Sequence, residues 1–527
     1  MQKIRTILLP LRPIFLKFFK MNKIKLVCIT LIIIAASVNT AKAGGLLTNT
    51  NQNIAWNRNM ARDGIIGIDG VYSNPAGVAF MDKGLHLSFN FQNVYQTRTI
   101  ESGITVPSLQ GTPYYQPFKL NGGNENGVKA FKGEASVPIV PSFQAALNYE
   151  KWGFQASFAL TGGGGMCTFN DGLGSFERQV AMVPALLYSQ GLTSTTPSYG
   201  VNSYVNGKQY VFGVQLGTTY KINEHMSVYG GFRFNYIWNR YEGNIVNISA
   251  NIAGNNENLY SYFGDKATAY NIQSAAATMI ANAATDAQTK AQYTAIAAQY
   301  STGAAKMEET KRLFADKYLD CTQRGWGITP IIGFDYKNGK WNFGTRLEFT
   351  THLNIENHTK HDDTGLFLNG VNTPNDLPGI FTVGGQYSIL PSLRVMASYH
   401  YFFDKDAKMA GDKQKYLTGN TKEYLAGAEW DITKRVMISA GAQSTRYGLG
   451  DGSYLNDISF VTSSYSIGFG AKIRVAKKAS LNVAYFWTTY ENFNKSYTSS
   501  INGVSVNCTD NFARTNKVLG VGLDIDL

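Results

Sequence analysis

Acidic residues are scarce in this 527-residue chain: 36 Asp and Glu stand against 48 Lys and Arg, and charged residues make up only 16%. Soluble domains carry roughly 25%, so three ordinary soluble domains, which the length would allow, are a poor fit. Long apolar runs are missing too. After the N-terminus no uninterrupted stretch of ~20 apolar residues occurs, and the mean hydropathy of −0.17 is too polar for a bundle of membrane helices. Histidine is limited to six scattered residues, and no G-x-S-x-G nucleophile elbow is present. The Gly162–Gly165 run lacks the following helix and Lys-Ser/Thr of a phosphate cradle. His358 and His361 stand close together, in a polar stretch read as a solvated loop. These absences argue against an enzyme and predict neither cofactor nor metal. The basic excess is misleading as well. Residues 1–43 hold eight basic and no acidic residues, leaving 40 basic against 36 acidic in the rest, too small a surplus for a nucleic-acid binder.

What is present is tyrosine, phenylalanine and glycine, at 31, 30 and 53 residues, with only 14 prolines. That balance suits many β-strands joined by polar turns. The first 43 residues read as an address. From Met21, taken as the start, a basic stretch (Lys23, Lys25) precedes an apolar run from Leu26 to Ala36 and an Ala41-Lys42-Ala43 cleavage site. Residues 1–43 are therefore set aside as a signal peptide, and Gly44 becomes the mature start. Cys28 leaves with the signal. Cys167, Cys321 and Cys508 remain, and an exported compartment permits one disulfide whose pairing an odd count leaves open.

From Leu85 onward the chain alternates with period 2. Leu519, Val521, Leu523, Ile525 and Leu527 share one face, and Gly520, Gly522, Asp524 and Asp526 the other. Fourteen such runs lie near 85–97, 139–149, 152–161, 209–221, 226–248, 322–337, 341–356, 378–388, 392–403, 422–430, 435–445, 459–474, 480–490 and 512–527. Short connections alternate with longer ones that include 98–138, 162–208 and 249–321. A sandwich has no reason to gather its long loops at one end. A transmembrane barrel does, with an even strand count and aromatic girdles, and it must close because lipid cannot satisfy an open edge. Trp152, Tyr220, Trp341 and Trp430 sit near the short turns; Trp238, Trp326 and Trp487 sit toward the outer ends. The expected fold is an all-β, 14-stranded antiparallel transmembrane β-barrel in the outer membrane. The Ala-rich part of the insert 249–321 predicts two short helices within 268–300, outside the membrane.

Residues 44–83 break the alternation. They are too few for a domain with its own core and too apolar for a loose tail (Ile54, Trp56, Ile65, Ile66, Ile68, Val71, Val78, Phe80), so a plug folded into the lumen of the barrel 84–527 is expected. The order of signal, short plug, Asn74-Pro75-Ala76 and fourteen strands resembles the FadL/TodX family, outer-membrane transporters of long-chain fatty acids and other hydrophobic compounds. The resemblance covers essentially all of 44–527. It implies that Asn74, Pro75 and Ala76 close an N-terminal hatch, and that Leu46, in Gly44-Gly45-Leu46, reaches toward the ligand. It also implies a kinked third strand that opens the wall, for which Gly162–Gly165 are candidates. The chain departs from the usual pattern at Leu527, where the barrel-assembly machinery favours an aromatic residue.

The inward faces carry Arg233, Arg346, Glu348, Arg394, Glu429, Lys472, Arg474, Asp524 and Asp526, read mainly as a charge network holding lumen and hatch together. They also carry Tyr229, Ile237, Ile331, Met396, Phe402, Leu425, Met437 and Phe486, which an aqueous porin has little reason to place there. Ile237, Phe402, Leu425 and Phe486 are expected at one level as the floor of a ligand pocket. Arg233, below them, is a candidate for a carboxylate headgroup or for a structural pair with a glutamate. The sequence thus points to a monomeric, passive transporter whose partners are hydrophobic small molecules or lipids. The alternative is a surface adhesin, antigen or structural barrel, for which bound host glycans rather than co-purified lipid would speak.

Overall fold

The computed structural model describes residues 48–189, 191–192 and 196–527; the expected signal segment, Gly44, Gly45 and Leu46 lie outside the described residues. Eighteen strands form one sheet. In chain order the first seven are β1 (Gly84–Thr105), β2 (Val128–Asn148), β3 (Trp152–Phe169), β4 (Tyr199–Lys221), β5 (Met226–Ile252), β6 (Asn255–Asn258) and β7 (Lys317–Asn338). Next come β8 (Trp341–Glu348), β9 (Asn354–Asp362), β10 (Asn372–Pro374), β11 (Ile380–Leu390) and β12 (Leu393–Phe402). The last six are β13 (Gly419–Asp431), β14 (Val436–Gly448), β15 (Ser464–Ala476), β16 (Ala479–Tyr490), β17 (Phe493–Ile501) and β18 (Val504–Asp526).

Fourteen of these make the wall, and each overlaps one of the fourteen alternating runs. Neighbours pair antiparallel in sequence order, with β5 passing to β7, β8 to β11 and β16 to β18. β18 then returns to β1, from His86↔Asp526 to Thr105↔Asn507, which closes the ring. The short strands β6, β9, β10 and β17 add to the outer ends of wall hairpins. No described helix is long and apolar enough to cross a membrane.

Alternation places the apolar side chains outside. Phe91, Phe154, Ile332, Ile467, Phe469 and Leu519 are exposed, while Asn90, Gln92, Gln155, Asn482 and Ser466 on the opposite faces are buried. Aromatic pairs mark both rims. Trp152 lies 4.7 Å from Tyr220 and Trp341 4.3 Å from Tyr387 near the short turns; Trp238 stacks on Tyr210 and Trp326 on Phe234 toward the outer ends. This is the layering of an outer-membrane barrel.

Beyond the membrane the structure departs from the sequence expectation in four ways. The strands run further than the apolar pattern shows: β1 continues to Thr105 and β2 begins at Val128, inside the stretch 98–138 read as loop. There the backbone ladder persists while both faces meet water or other loops, so no apolar face betrays it. The run 341–356 is two strands: β8 ends at Glu348, and β9, which takes in His358 and His361, pairs with β7. The helices of the insert are long, α5 (Leu259–Ala283) and α6 (Ala287–Leu313), after the shorter α1 (Ile54–Arg58), α2 (Gly70–Ser73), α3 (Gly174–Ala181) and α4 (Val183–Ser189). Asn258 caps α5 by accepting from Ser261 N–H, and Asp286 caps α6 by accepting from Thr289 N–H. Small buried residues along the seam, Ala267, Ala277, Ala281, Ala297 and Ala304, let the two helices lie close. Finally, Cys167, Cys321 and Cys508 are free, buried thiols in separate apolar clusters.

Candidate functional site

The segment 48–83 lies inside the barrel, tied to the lumenal face of nearly every sector. Its first turn, α1, begins at Asn53, whose side chain accepts from Ala55 N–H and donates to Gln144 Oε1 at 2.5 Å and Ser88 Oγ at 3.2 Å. Ile54 N–H donates to Asn90 Oδ1 at 3.0 Å and Asn57 Nδ2 to Gln92 Oε1 at 2.9 Å. Two wall glycines make the approach possible. A Cβ on Gly344 would overlap the Asp63 carbonyl oxygen, and one on Gly468 the Asn57 carbonyl oxygen.

Asn74-Pro75-Ala76 is a node of this contact. Asn74 Nδ2 donates to Asp335 Oδ2 at 2.6 Å, Gln155 Nε2 donates to the Pro75 carbonyl at 2.7 Å, and Ser227 Oγ donates to the Ala76 carbonyl at 2.7 Å. Ala76 packs on Tyr229 and Ile331. Proline is tolerated here because the turn needs no N–H at that position, while the wall supplies donors for carbonyls that would otherwise be buried without partners.

Charge fastens the middle of the segment. Glu429 receives Arg58 at 3.2 Å and Arg62 at 2.5 Å, and Arg394 stands 3.5 Å away. Arg62 also grips Asp69 at 2.7 Å. His400 bridges Asp63 and Glu423, with 2.8 Å to each. Burial alone would raise the Asp63 carboxyl; the His400 ring and Arg346 outweigh it and hold the acid at about 2. With a depressed value in the folded state, Asp63 contributes fully above its ordinary range and loses that contribution only as the pH falls toward 2. Glu429→Gln would strip buried Arg58 of its carboxylate, while Arg62 keeps Asp69 and Arg394 keeps Asp431. Removing one side of a buried pair costs ~3–5 kcal/mol. Amide exchange within 54–76 should therefore accelerate sharply while exchange in the wall strands stays slow.

Of the expected ligand residues, Leu425 and Phe486 meet in one apolar cluster with Trp56, while Ile237, Phe402 and Arg233 lie elsewhere. Arg233 forms a two-pronged pair with Glu348, at 2.7 and 2.8 Å, and a further bond to Gln215, so the structural role is the one it fills. Ile237 packs with Val211, Leu353 and Ile355. Leu425 packs against Trp56, Met60 and Ile65 of the lumenal segment. Phe402 is buried opposite Ile380, whereas Leu425 is opposite Ser398, four residues further down β12. Strand ends alone suggest equal height, and the register sets Phe402 above Leu425. Phe486 alone of the set lines a lumenal cavity beside the start of the lumenal segment, its ring 5.3 Å from Trp56.

That cavity lies between the start of the lumenal segment and β1, β2, β3, β13, β14, β15, β16 and β18. Trp56, Val94, Phe486 and Val518 give it an apolar part, and Gln92, Gln96, Gln443, Tyr490 and Arg514 a polar one. Its side wall is Val137, Val140, Pro141, Ala159 and Leu160, and there the barrel is interrupted. β2 and β3 pair from Asn148↔Gly153 to Phe143↔Phe158 and again at Glu134↔Thr168 and Gly133↔Phe169, with no pairing between. Pro138 and Pro141 remove two donors from β2 in this interval. Opposite them β3 bulges against β4 at Gly162, and Gly163 takes φ +86°, a conformation glycine adopts freely. Part of the freed edge of β3 is taken by the lumenal segment: Asn49 N–H donates to the Thr161 carbonyl at 2.9 Å and Asn49 Nδ2 to the Gly163 carbonyl at 2.9 Å. The glycine run and both prolines are visible in the sequence, but only their juxtaposition makes a gap.

A closed barrel, a folded-in N-terminal segment, and a cavity that meets a break in the wall define a plugged outer-membrane barrel. One solved structure shares the fold, and two others show a weaker likeness. A Pseudomonas aeruginosa FadL homologue matches over 92% of this chain and 100% of its own, with a TM-score of 0.55 at 13% identity. The Pseudomonas putida toluene transporter TodX matches over 88% and 94%, with a TM-score of 0.46 at 11% identity. The Ralstonia pickettii toluene transporter TbuX matches over 86% and 93%, with a TM-score of 0.41 at 14% identity. No protein-family profile matches the chain, and no curated protein sequence does.

Proposed function

We propose that this protein carries hydrophobic compounds, long-chain fatty acids among them, passively across the outer membrane. The observation that carries this reading is the continuity of the lumenal cavity with the gap between β2 and β3. A water-filled porin gains nothing from Trp56, Phe486 and Val518 beside a wall break lined by Val137, Val140 and Leu160. An apolar solute does: each methylene removed from water is worth ~0.8 kcal/mol, and a side exit delivers it to the bilayer without crossing the aqueous periplasm. Residues 44–83 serve as the hatch, and a shift of this segment opens the way from cavity to gap. Cavity, hatch and gap all belong to one chain, so a monomer suffices. The shared fold with the FadL homologue and the sequence resemblance to the FadL/TodX family support the same reading.

The test is direct. Protein purified without exogenous lipid is extracted and the extract analysed by mass spectrometry, while cells lacking their own fatty-acid porin are assayed for uptake of labelled oleate with and without this chain. A retained apolar compound and faster uptake are expected. An empty lumen together with uptake no faster than the vector control would sink the proposal.

A further inference from the structure

A buried arginine is costly unless a carboxylate faces it, and this chain obeys that rule with two exceptions. Seven arginines are buried among the described residues. Arg58 and Arg62 face Glu429, Arg178 faces Asp510, and Arg233 and Arg346 face Glu348. Arg98 and Arg514 have no carboxylate within ion-pair distance among the described residues, although they are only 9% and 8% exposed. They stand directly opposite each other on β1 and β18, both directed into the lumen. Like charges opposite one another destabilise a sheet, so the fold by itself gives no reason for the pair.

Their surroundings leave both guanidinium groups underused. Arg514 donates one hydrogen bond, to Gln96 Oε1 at 3.0 Å, and lies 4.8 Å from the centre of the Tyr490 ring. Arg98 makes no side-chain hydrogen bond among the described residues and lies 6.0 Å from the centre of the Phe460 ring. The Nε of each is buried without an acceptor. Phe460 packs on Phe512 at 4.9 Å and roofs the site with apolar surface. Arg514 lines the cavity, and the single acid on that lining, Glu423, is already held by His400, Gln443 and Thr445. Four residues down their strands, roughly 13 Å at ~3.3 Å per residue, Val94 and Val518 turn the lining apolar, and the wall gap lies at the same level.

We propose that Arg98 and Arg514 bind the acidic head of an amphiphile whose tail runs along Val94, Val518 and Phe486 to the gap. The inference rests on the reading of the cavity as a site for hydrophobic compounds and adds the headgroup to it. Two guanidinium forks side by side match the oxygens of a carboxylate or a phosphate monoester; the shared requirement is an oxyanion on an apolar chain. A neutral hydrocarbon or an alcohol leaves both charges uncompensated and is disfavoured.

Calorimetric titration of the purified, delipidated protein in one detergent with oleate, oleyl phosphate, oleyl alcohol and inorganic phosphate tests this. At least one of the two acids should bind roughly tenfold or more tightly than the alcohol, and the tighter of the two names the head. R98Q/R514Q should bring that acid down to the affinity of the alcohol, R98K/R514K should keep the preference, and heat-modifiable gel mobility should report a folded barrel in each. R98Q alone, which breaks no hydrogen bond, carries the same test should the double variant misfold. Equal binding of acid and alcohol by the wild type overturns the inference, as does a preference that survives R98Q/R514Q. Displacement of the acids by equimolar inorganic phosphate overturns it in favour of a free-anion site. Failure of every oleyl compound to bind overturns the underlying reading of the cavity instead.

Discussion

Deleting residues 48–76 should turn a sealed barrel into an open pore, with an order-of-magnitude rise in the influx of small polar solutes and stable conductance steps in planar bilayers. The wall should survive the deletion. Its ladders close from β1 through β18 without any strand from this segment, and its lipid-facing surface is untouched. What the deletion uncovers is polar: Ser88, Asn90, Gln92, Gln144, Glu429 and Asn342 all lose partners in the segment and gain water in exchange. Water satisfies such groups at little net cost, so the lumen should fill rather than collapse. Gly344→Val offers the same outcome from the opposite side. Its added side chain occupies the space of the Asp63 backbone, so it should expel the segment while leaving every residue of it in place. Unchanged influx in both variants, with heat-modifiable mobility intact, would show that the outer loops rather than residues 48–76 seal the lumen.

The wall was legible in the sequence because lipid imposes one rule on every strand. An apolar side chain must appear at each second position for as long as the strand is in contact with hydrocarbon, and the fourteen runs follow from that rule alone. Where lipid contact ends the rule lapses, which is why the outer extensions of β1, β2, β3 and β4 passed for loops. The Asn74-Pro75-Ala76 turn was legible for a different reason: it lies where the alternation breaks, and the resemblance to the FadL/TodX family implies its place in the hatch. Partnerships across the lumen were not. Arg58 and Glu429 are 371 residues apart, and no local pattern tells which inward charge meets which. The same blindness explains the pocket floor. Phe402 and Leu425 both point inward, as their alternation demands, yet one meets the outer lumen near His400 and the other the lumenal segment. Alternation reveals the face on which a side chain lies. Its height depends on register, which loop contacts and bulges decide.

Filling the wall gap should abolish transport while leaving the hatch closed. Ala159 and Val140 lie on opposite sides of the break, on β3 and β2, and both line the cavity. Tryptophan at both positions adds bulky apolar surface where no ladder hydrogen bonds are lost, because none link the two strands between Glu134↔Thr168 and Phe143↔Phe158. Folding should be preserved for that reason, and the indole rings suit a boundary between lumen and lipid. The double variant V140W/A159W should therefore bind oleate in detergent, since the arginine pair and the apolar lining around Phe486 remain, but labelled oleate should not enter cells above the vector control. Phe402→Ala, a larger loss of buried volume outside the cavity, should lower stability by ~3–5 kcal/mol and yet keep uptake near the wild-type rate per folded molecule. This pairing separates passage from stability. Uptake that persists in a folded V140W/A159W would send the solute down the barrel axis past residues 48–83, and the break between β2 and β3 would then be a structural accommodation of Pro138, Pro141 and the glycine run rather than a door.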